Sequence, residues 1–359
     1  MYHCGGLGVP LSAESFSTPS RYFGGRALRA ASAPPESWAE RLRTPEIKTT
    51  RKDRASFIAL SAEAYALDPG CRVFDVKEMR KPFSLTAMPL LRRMVAWIIV
   101  FIVLFAVLLV AAYVYQDHLI FHPWRGDAAS LETEANLAGL IPWRDAQGTR
   151  IGWQSKAGDP RQVIVLFHGN AGAALHRADY PSFLHGNSRK FYILEYPGYA
   201  DRSGRPGEKP MTAAAVQALD ELARGGAQSV WVLGESIGTG VACGAVRERP
   251  KLVQALVLIT PFDSLVHAAQ VHYPMLPVSL LIRHRFNSVA NLKEFPGPVA
   301  FLLAENDRTV PAALGRALYE SYPGVKRLWI TPQADHNDTP LMLSVWPEVT
   351  AWLKDQGAK

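Results

Sequence analysis

The sequence predicts an α/β fold, in which helices flank a mostly parallel sheet, preceded by one helix that could cross a membrane. Three observations predict it. Short apolar runs alternate with stretches of helical spacing over residues 140–354, a pattern typical of parallel strands joined by right-handed crossovers. Residues 94–115 form an unbroken apolar run, and the glycine-rich heptapeptide at 234–240 follows a short strand-like run directly. That last arrangement is typical of a tight turn from strand to helix.

Residues 1–93 form a basic N-terminal arm. They contain 15 Lys and Arg against 9 Asp and Glu, whereas the remaining 266 residues contain 24 against 23. The near-neutral main region gives no reason to expect nucleic acid as a partner. Three interpretations of the arm stay open: a disordered segment, a targeting peptide, or an artefact of a start codon assigned too far upstream, with Met88 as the true start.

Residues 94–115 predict a transmembrane signal anchor. These 22 residues include no charge, proline or glycine, and as a helix they would extend about 33 Å, enough for the hydrocarbon core. A buried core helix is the alternative, but core helices of this length usually have a polar face. Basic residues crowd the N-terminal flank: Lys77, Arg80, Lys81, Arg92 and Arg93. The positive-inside rule therefore places the N-terminus in the cytoplasm and residues 116–359 on the far side, periplasmic or extracytoplasmic in a bacterium.

The elements follow in order through residues 116–359, the predicted main domain. Short segments are expected at 119–123 and 140–143. Strands are expected at 150–154, 162–167, 191–195, 230–233, 255–259, 299–303 and 326–330. Helices are expected at 173–185, 212–224, 237–248 and 341–354, the last bent at Pro347. A small cap is expected at 261–285, after the strand at 255–259. Ligand sites in such sheets lie beyond the carboxyl ends of the strands.

The heptapeptide Gly234-Glu235-Ser236-Ile237-Gly238-Thr239-Gly240 has the G-x-S-x-G form of a nucleophile elbow. At such a turn the backbone of the serine is strained, and the flanking glycines let strand and helix approach closely. The alternative is that Ser236 is an ordinary helix N-cap in a glycine-rich turn.

A serine hydroxyl needs a base and an oriented acid to act as a nucleophile. His336 and Asp307 each follow a predicted strand, 100 and 71 residues after Ser236, in the order serine, acid, histidine. Asp307 has a second interpretation as a charge at a helix N-terminus. Competitors stay open at this stage, namely His168, His267, His272 and His284 for the base, and Asp263 and Glu305 for the acid.

Acyl transfer also requires donors for a developing oxyanion. The predicted strand at 162–167 ends in His168-Gly169-Asn170-Ala171-Gly172, where glycines allow backbone N–H groups to turn inward. We expect the N–H groups of Asn170 and Ile237 to form the oxyanion hole. A plain tight turn is the alternative. In the cap, Phe262, Tyr273 and Leu276 are candidates for lining an acyl pocket, although core packing explains them equally well.

Together these motifs resemble α/β-hydrolases of the bud-emergence-protein-like group, related to membrane-anchored α/β-hydrolase domain proteins. The resemblance covers about residues 94–355 and rests on the motifs at 168–172, 195–199 and 234–238, on Asp307 with Val310-Pro311, and on His336-Asn337. Ala200, where glycine is usual, and Thr239-Gly240, where Gly-Gly is commoner, depart from the pattern.

The resemblance implies a serine hydrolase of esters, thioesters or lipid-like acyl substrates that needs no metal or organic cofactor. Two alternatives stay open. One is a serine aminopeptidase-like activity with Asp263 holding a substrate amine, and the other is a silent membrane-tethered binding module. The chain's three cysteines, Cys4, Cys71 and Cys243, form no disulfide or metal pattern, and Cys243 is expected to be a buried inert thiol.

Overall fold

The computed structural model describes residues 89–184, 188–338 and 344–358. They fall within the second of two units of the chain, Leu85–Lys359. The basic arm up to Met88, including Cys4 and Cys71, lies outside the described residues, so the interpretations of that arm stay predictions.

The apolar run forms a helix, α1 (Pro89–Ile120), whose most apolar 18-residue window has a mean hydropathy of 3.2 and contains no buried residue. Its 32 residues correspond to about 48 Å of helix, so α1 extends beyond the predicted span at both ends. Leu119 and Ile120, expected in a separate short segment, instead complete α1.

Among the described residues, eight strands form one sheet. They are β1 (Leu140–Arg144), β2 (Arg150–Ser155), β3 (Asp159–Phe167), β4 (Arg189–Leu194), β5 (Ser229–Glu235), β6 (Val253–Ile259), β7 (Val299–Ala304) and β8 (Lys326–Thr331). Their order in the sheet is β1-β2-β4-β3-β5-β6-β7-β8. β1 and β2 pair antiparallel with their neighbours, and β3 to β8 are parallel, which confirms the predicted mostly parallel sheet.

Helices cover both faces of the sheet. They are α2 (Ala128–Leu137), α3 (Tyr180–Phe183), α4 (Glu208–Arg224), α5 (Ile237–Glu248), α6 (Leu265–His272), α7 (Val278–Leu281), α8 (Ser288–Leu292), α9 (Ala312–Ser321) and α10 (Val345–Asp355). The cap comprises α6, α7 and the residues around them, after β6 as predicted.

Two helix predictions need correction, and proline explains both. The helix expected at 173–185 is a 3₁₀ turn (Ala174–Arg177) followed by the short α3, because Pro181 has no N–H to continue the first turn into a longer helix. The bend expected at Pro347 does not occur. Pro347 lies in the first turn of α10, where its missing N–H costs no intrahelical bond.

Successive side chains of the central strands pack alternately into two apolar layers, one on each face of the sheet. Val163 and Val165 pack with α4 and α5 on one face, whereas Ile164 and Leu166 pack with α2 and α10 on the other. This two-sided burial explains why β3 reads as a continuous apolar run. Cys243 of α5 is fully buried, and burial raises the pKa of its thiol to about 12.

Candidate active site

Ser236 lies at the sharp turn between β5 and α5. Its backbone has φ 53° and ψ −119°, and a positive φ is strained for any residue with a side chain. The flanking glycines are sterically required. A Cβ at Gly234 would approach the carbonyl oxygen of Gly238 to 2.7 Å, and a Cβ at Gly238 would approach that of Phe167 to 2.1 Å. The sequence therefore builds an elbow that holds the hydroxyl at the carboxyl edge of the sheet.

Three predicted side chains form one hydrogen-bonded chain. His336 Nε2 lies 2.9 Å from Ser236 Oγ, and His336 Nδ1 lies 2.7 Å from Asp307 Oδ2. Because an ionised carboxylate can only accept, Nδ1 donates to Asp307 and Nε2 accepts from the serine hydroxyl. This tautomer is the one that a general base requires.

Hydrogen bonds fix the orientation of the Asp307 side chain, the predicted acid. The side chain of Asp307 is 1% exposed, and its Oδ1 accepts from the N–H groups of Thr309 (2.9 Å) and Val310 (2.6 Å). Because Oδ1 is held in this way, Oδ2 faces His336.

A second contact joins the loop after β7 to the loop after β8. The guanidinium of Arg308 donates to the carboxylate of Asp335, which precedes His336. The side-chain bond from Arg308 and the backbone N–H groups of Arg308 and His336 lower the pKa of Asp335 to about 2. This ion pair therefore links the acid loop to the histidine loop.

Each competing histidine ring is bonded elsewhere. His168 Nδ1 donates to the carbonyl of Gly169, His272 Nε2 lies 2.8 Å from the carbonyl of Thr309, and His284 Nε2 lies 2.8 Å from Asp117 Oδ1.

The competing acids are bonded elsewhere as well. Asp263 pairs with the fourth competing ring, His267, at 2.6 Å. Glu305 accepts from the backbone of Gln333. Among these residues, Ser236, His336 and Asp307 are the set that the structure brings together.

The two expected oxyanion donors follow neighbouring strands in register. Phe167 of β3 pairs with Gly234 of β5, so Asn170 and Ile237 each come three residues beyond a paired position. Ile237 is the first residue of α5, and the first amides of a helix have no partner within it. The predicted turn at 168–172 therefore lies beside the elbow.

The side chain of Asn170 has a structural role that the sequence did not indicate. Its Oδ1 accepts from the hydroxyl of Tyr199 (3.1 Å) and the N–H of His122 (3.3 Å), and its Nδ2 donates to the carbonyl of Ile120. The loop after β3 is thus attached to the end of α1. Nearby, Ala200 has φ 46°, which explains why a glycine would suit that turn better.

The three cap candidates lie in different environments. Phe262 is buried in the main apolar core, Leu276 is half-buried, and Tyr273 is 59% exposed. Core packing accounts for Phe262, while Leu276 and Tyr273 stay predictions for substrate contact.

Sequence reasoning missed an ionic cluster beside Ser236. Arg177 donates through Nε and Nη2 to Glu235, and the hydroxyl of Tyr180 donates to the same carboxylate at 2.8 Å. Burial opposes ionisation of Glu235, but the hydrogen bonds and charge of Arg177 outweigh it and lower its pKa. A cavity of about 240 Å³ borders this cluster and Asn337. Glu235 is the residue that could have indicated this cluster from the sequence, because a carboxylate at the end of an apolar strand requires a partner.

Comparisons with known proteins show the family of this fold. The family model for serine aminopeptidase, S33 (Hydrolase_4) matches residues 158–283. An uncharacterized protein of Mycobacterium tuberculosis strain H37Rv is 30% identical over 236 residues, which cover 63% of this chain and 82% of that protein. The chain belongs to the α/β-hydrolase family.

Another relative of this hydrolase aligns with it over about half of the chain. Lysophosphatidylserine lipase ABHD12 of Mus musculus is 33% identical over 201 residues, covering 49% of this chain and 50% of the lipase. The hydrolase thus aligns with about half the length of that relative. The ferulic-acid-bound Est1E of Butyrivibrio proteoclasticus and the Pyrococcus furiosus esterase PF2001 each superpose with a TM-score of 0.50 at 15% identity. They cover 61% and 66% of this chain and 100% and 98% of their own, and they show the same fold.

Proposed function

We propose that this protein is a membrane-anchored serine hydrolase that cleaves carboxylic esters or thioesters, with lipid-like acyl compounds as the substrate class. The observation that carries the proposal is the hydrogen-bonded chain from Ser236 through His336 to Asp307. The lipase and esterase names of the relatives support an ester bond as the target.

The proposed mechanism proceeds through an acyl-enzyme. Ser236 Oγ attacks the acyl carbonyl while His336 Nε2 takes its proton, and buried Asp307 stabilises the imidazolium that forms. The backbone N–H groups of Asn170 and Ile237 bind the tetrahedral oxyanion. His336 then donates the proton to the departing alcohol or thiol, and water, activated by the same imidazole, releases the acyl group. Tyr273 and Leu276 are proposed to contact the acyl chain.

Membrane anchoring is proposed for α1. Trp97 lies near one end of the apolar run and Tyr115 at the other, about 27 Å apart along the helix. Aromatic rings at both interfaces are typical of membrane-spanning helices. Arg92 and Arg93 precede the span, so the N-terminus is assigned to the cytoplasm and the hydrolase domain to the opposite side. Resistance of the full chain to alkaline carbonate extraction would support this anchoring, and release into the soluble fraction would contradict it.

A serine aminopeptidase-like activity is the second candidate, favoured by the description of the matching family model. It requires an acidic group free to hold a substrate amine. Asp263, the candidate for that role, is paired with His267 and with the backbone N–H of Ser264, which favours the esterase proposal. The third candidate, a binding module without turnover, would have no need of the oriented histidine.

A fluorophosphonate probe applied to the full-length protein in detergent tests the proposal. We expect covalent labelling that is lost in Ser236→Ala and kept in Ser130→Ala, an exposed serine on α2. Absence of labelling in folded wild-type protein would favour the binding module. Initial rates on p-nitrophenyl esters, thioesters and aminoacyl amides then separate the two enzymatic candidates, and a preference for the amides would overturn the esterase proposal.

A further inference from the structure

The end of α1 is hydrogen-bonded to the cap. Gln116, buried at 6% exposure, donates through Nε2 to the carbonyl of Leu281 (3.1 Å), and its Oε1 accepts from the N–H of Arg283 (2.7 Å). The guanidinium of Arg283 also donates to Asp117 (2.7 Å). These contacts hold the cap at a fixed height along the helix axis.

That height is the boundary of the apolar span. The span ends at Tyr115, one residue before Gln116, and the guanidinium carbon of Arg283 lies 5.4 Å from the ring centroid of Tyr113, which is inside the span. Helix α7 contacts α1. The face of α1 with Leu109, Ala112 and Gln116 is partly or fully covered, and Leu109 lies about 10 Å along the axis from Gln116. The covered face of α1 thus extends into the level that lipid would occupy.

The cap exposes large apolar side chains, one of which is next to this boundary in the chain. Met275 is 88% exposed, Leu280 is 81% exposed and Val271 is 46% exposed. Exposed apolar side chains clustered on one short segment mark an interaction surface. Leu280 lies one residue before Leu281, whose carbonyl accepts from Gln116, so this end of the exposed surface lies at the boundary of the apolar span.

The same segment is connected to the proposed site. His272, at the end of α6, lies 2.8 Å through Nε2 from the carbonyl of Thr309. The N–H of Thr309 donates to the carboxylate of Asp307. The cap therefore connects the acid loop of the site to the end of the membrane helix.

We infer that the exposed side chains of Met275 and Leu280 in the cap insert into the lipid leaflet from which the end of α1 emerges, and that amphiphilic acyl substrates reach Ser236 from this leaflet. The inference rests on the membrane anchoring and the ester-cleaving site of the proposed function. A lipid surface is the occupant because α1 already places lipid at the height of Leu280.

Depth-dependent fluorescence quenching tests the insertion. Full-length protein with Cys4→Ser and Cys71→Ser, which leaves only buried Cys243, receives an NBD label at Met275→Cys or Leu280→Cys in phosphatidylcholine vesicles containing doxyl-labelled lipid. Phe105→Cys, in the middle of the span, reports on the anchor. Leu137→Cys and Val325→Cys are matched controls, since both side chains are exposed and apolar and precede the amino ends of β1 and β8.

We expect labels at 275 and 280 to be quenched severalfold more than labels at 137 and 325. If the label at 105 is quenched but the labels at 275 and 280 are quenched no more than those at 137 and 325, the inference is overturned and the proposed anchoring stays intact. No quenching at 105 overturns the anchoring and, with it, this inference.

Activity tests the route of entry. Relative to Leu137→Glu, the double variant Met275→Glu/Leu280→Glu should lose about tenfold in rate on a long-chain ester embedded in vesicles, because two apolar contacts with lipid are replaced by charges. Its rate on soluble p-nitrophenyl acetate should be unchanged. Equal rates on the vesicle ester, or equal losses on both substrates, would overturn entry from the leaflet. If the wild-type protein hydrolyses neither substrate, the proposed function itself is overturned.

Discussion

Arg177 forms a two-point ion pair with Glu235, the residue directly before Ser236, with Nε–Oε2 and Nη2–Oε1 distances of 2.8 and 2.5 Å. The carboxylate is buried at 7% exposure and receives a third bond from Tyr180. The ion pair crosses from the 3₁₀ turn after β3 to the end of β5. It therefore fastens the loop with the proposed oxyanion donor to the strand that leads into Ser236.

Removing one member of this pair should cost more than removing both. Arg177→Met leaves a buried carboxylate without its cation, and we expect it to lower the free energy of unfolding by about 3 kcal/mol. The double variant Arg177→Met/Glu235→Gln removes the unpaired charge and should recover most of that loss. Chemical unfolding of the full chain in detergent measures both. Equal destabilisation of the single and double variants would contradict this account.

The same pair predicts sensitivity to acid. The pKa of Glu235 is lowered from its ordinary value of 4.5, so ionised Glu235 stabilises the folded state above about pH 4.5. That contribution is lost as pH falls through the lowered pKa of the folded protein. Unfolding measured between pH 6 and pH 3 should therefore show a smaller decrease of stability in Arg177→Met/Glu235→Gln than in the wild type. Parallel curves for the two proteins would argue that Glu235 does not contribute.

Asp307→Asn should abolish most of the turnover. An amide in place of Oδ2 no longer stabilises the donating Nδ1 tautomer, and losses of about ten-thousand-fold in kcat are typical of this change. Asp263→Asn is the matched control because Asp263 pairs with His267 and not with His336. Steady-state kinetics on one p-nitrophenyl ester compares the two variants. A larger loss for Asp263→Asn would assign the acid to that residue instead.

Gly238→Ala should disrupt the elbow. Its Cβ would lie 2.1 Å from the carbonyl oxygen of Phe167, and main-chain atoms of a central strand cannot yield, so we expect destabilisation of about 3 kcal/mol. Gly225→Ala is the control, with φ −73° and its nearest neighbouring atom at 3.4 Å. Thermal unfolding of both variants measures the difference. If Gly238→Ala melts at the wild-type temperature, then β3 and α5 are packed less closely than this distance implies.

Asn170→Ala tests the attachment of the loop after β3 to α1. The variant keeps the backbone N–H proposed for the oxyanion hole but loses the bonds to Ile120, His122 and Tyr199. We expect kcat to fall about tenfold, because a donor displaced from its position stabilises the oxyanion less, while fluorophosphonate labelling of Ser236 persists. Tyr199→Phe, which removes one of these bonds, should have a smaller effect. An unchanged kcat in Asn170→Ala would mean that the loop holds its shape alone.

The parallel sheet and the convergence at Ser236 were predictable because both follow from local rules. A continuous apolar run such as residues 162–167 has one favourable location, a strand buried on both faces. Parallel strands then place whatever follows them at one edge. Asp307 and His336 could be named for that reason, although they are far apart in the chain.

What could not be predicted depends on distant partners. Nothing near Arg177 in the sequence shows that its guanidinium reaches Glu235, and nothing near Asn170 shows that its side chain binds the end of α1. The failed helix at 173–185 has a different cause. The spacing of its apolar residues is that of a helix, but Pro181 has no N–H to donate to a helical hydrogen bond. The spacing of apolar residues alone does not show that loss.

Phe121 directly follows α1, is 2% exposed, and contacts the ring of His284 edge-on at 5.0 Å between centroids. The chain leaving α1 thus enters the core at once instead of passing through a flexible tether. Under the proposed anchoring, the hydrolase domain is therefore held directly against the bilayer and does not sample the surrounding solution. Its working range is then set by how fast substrates diffuse toward it in the plane of the membrane.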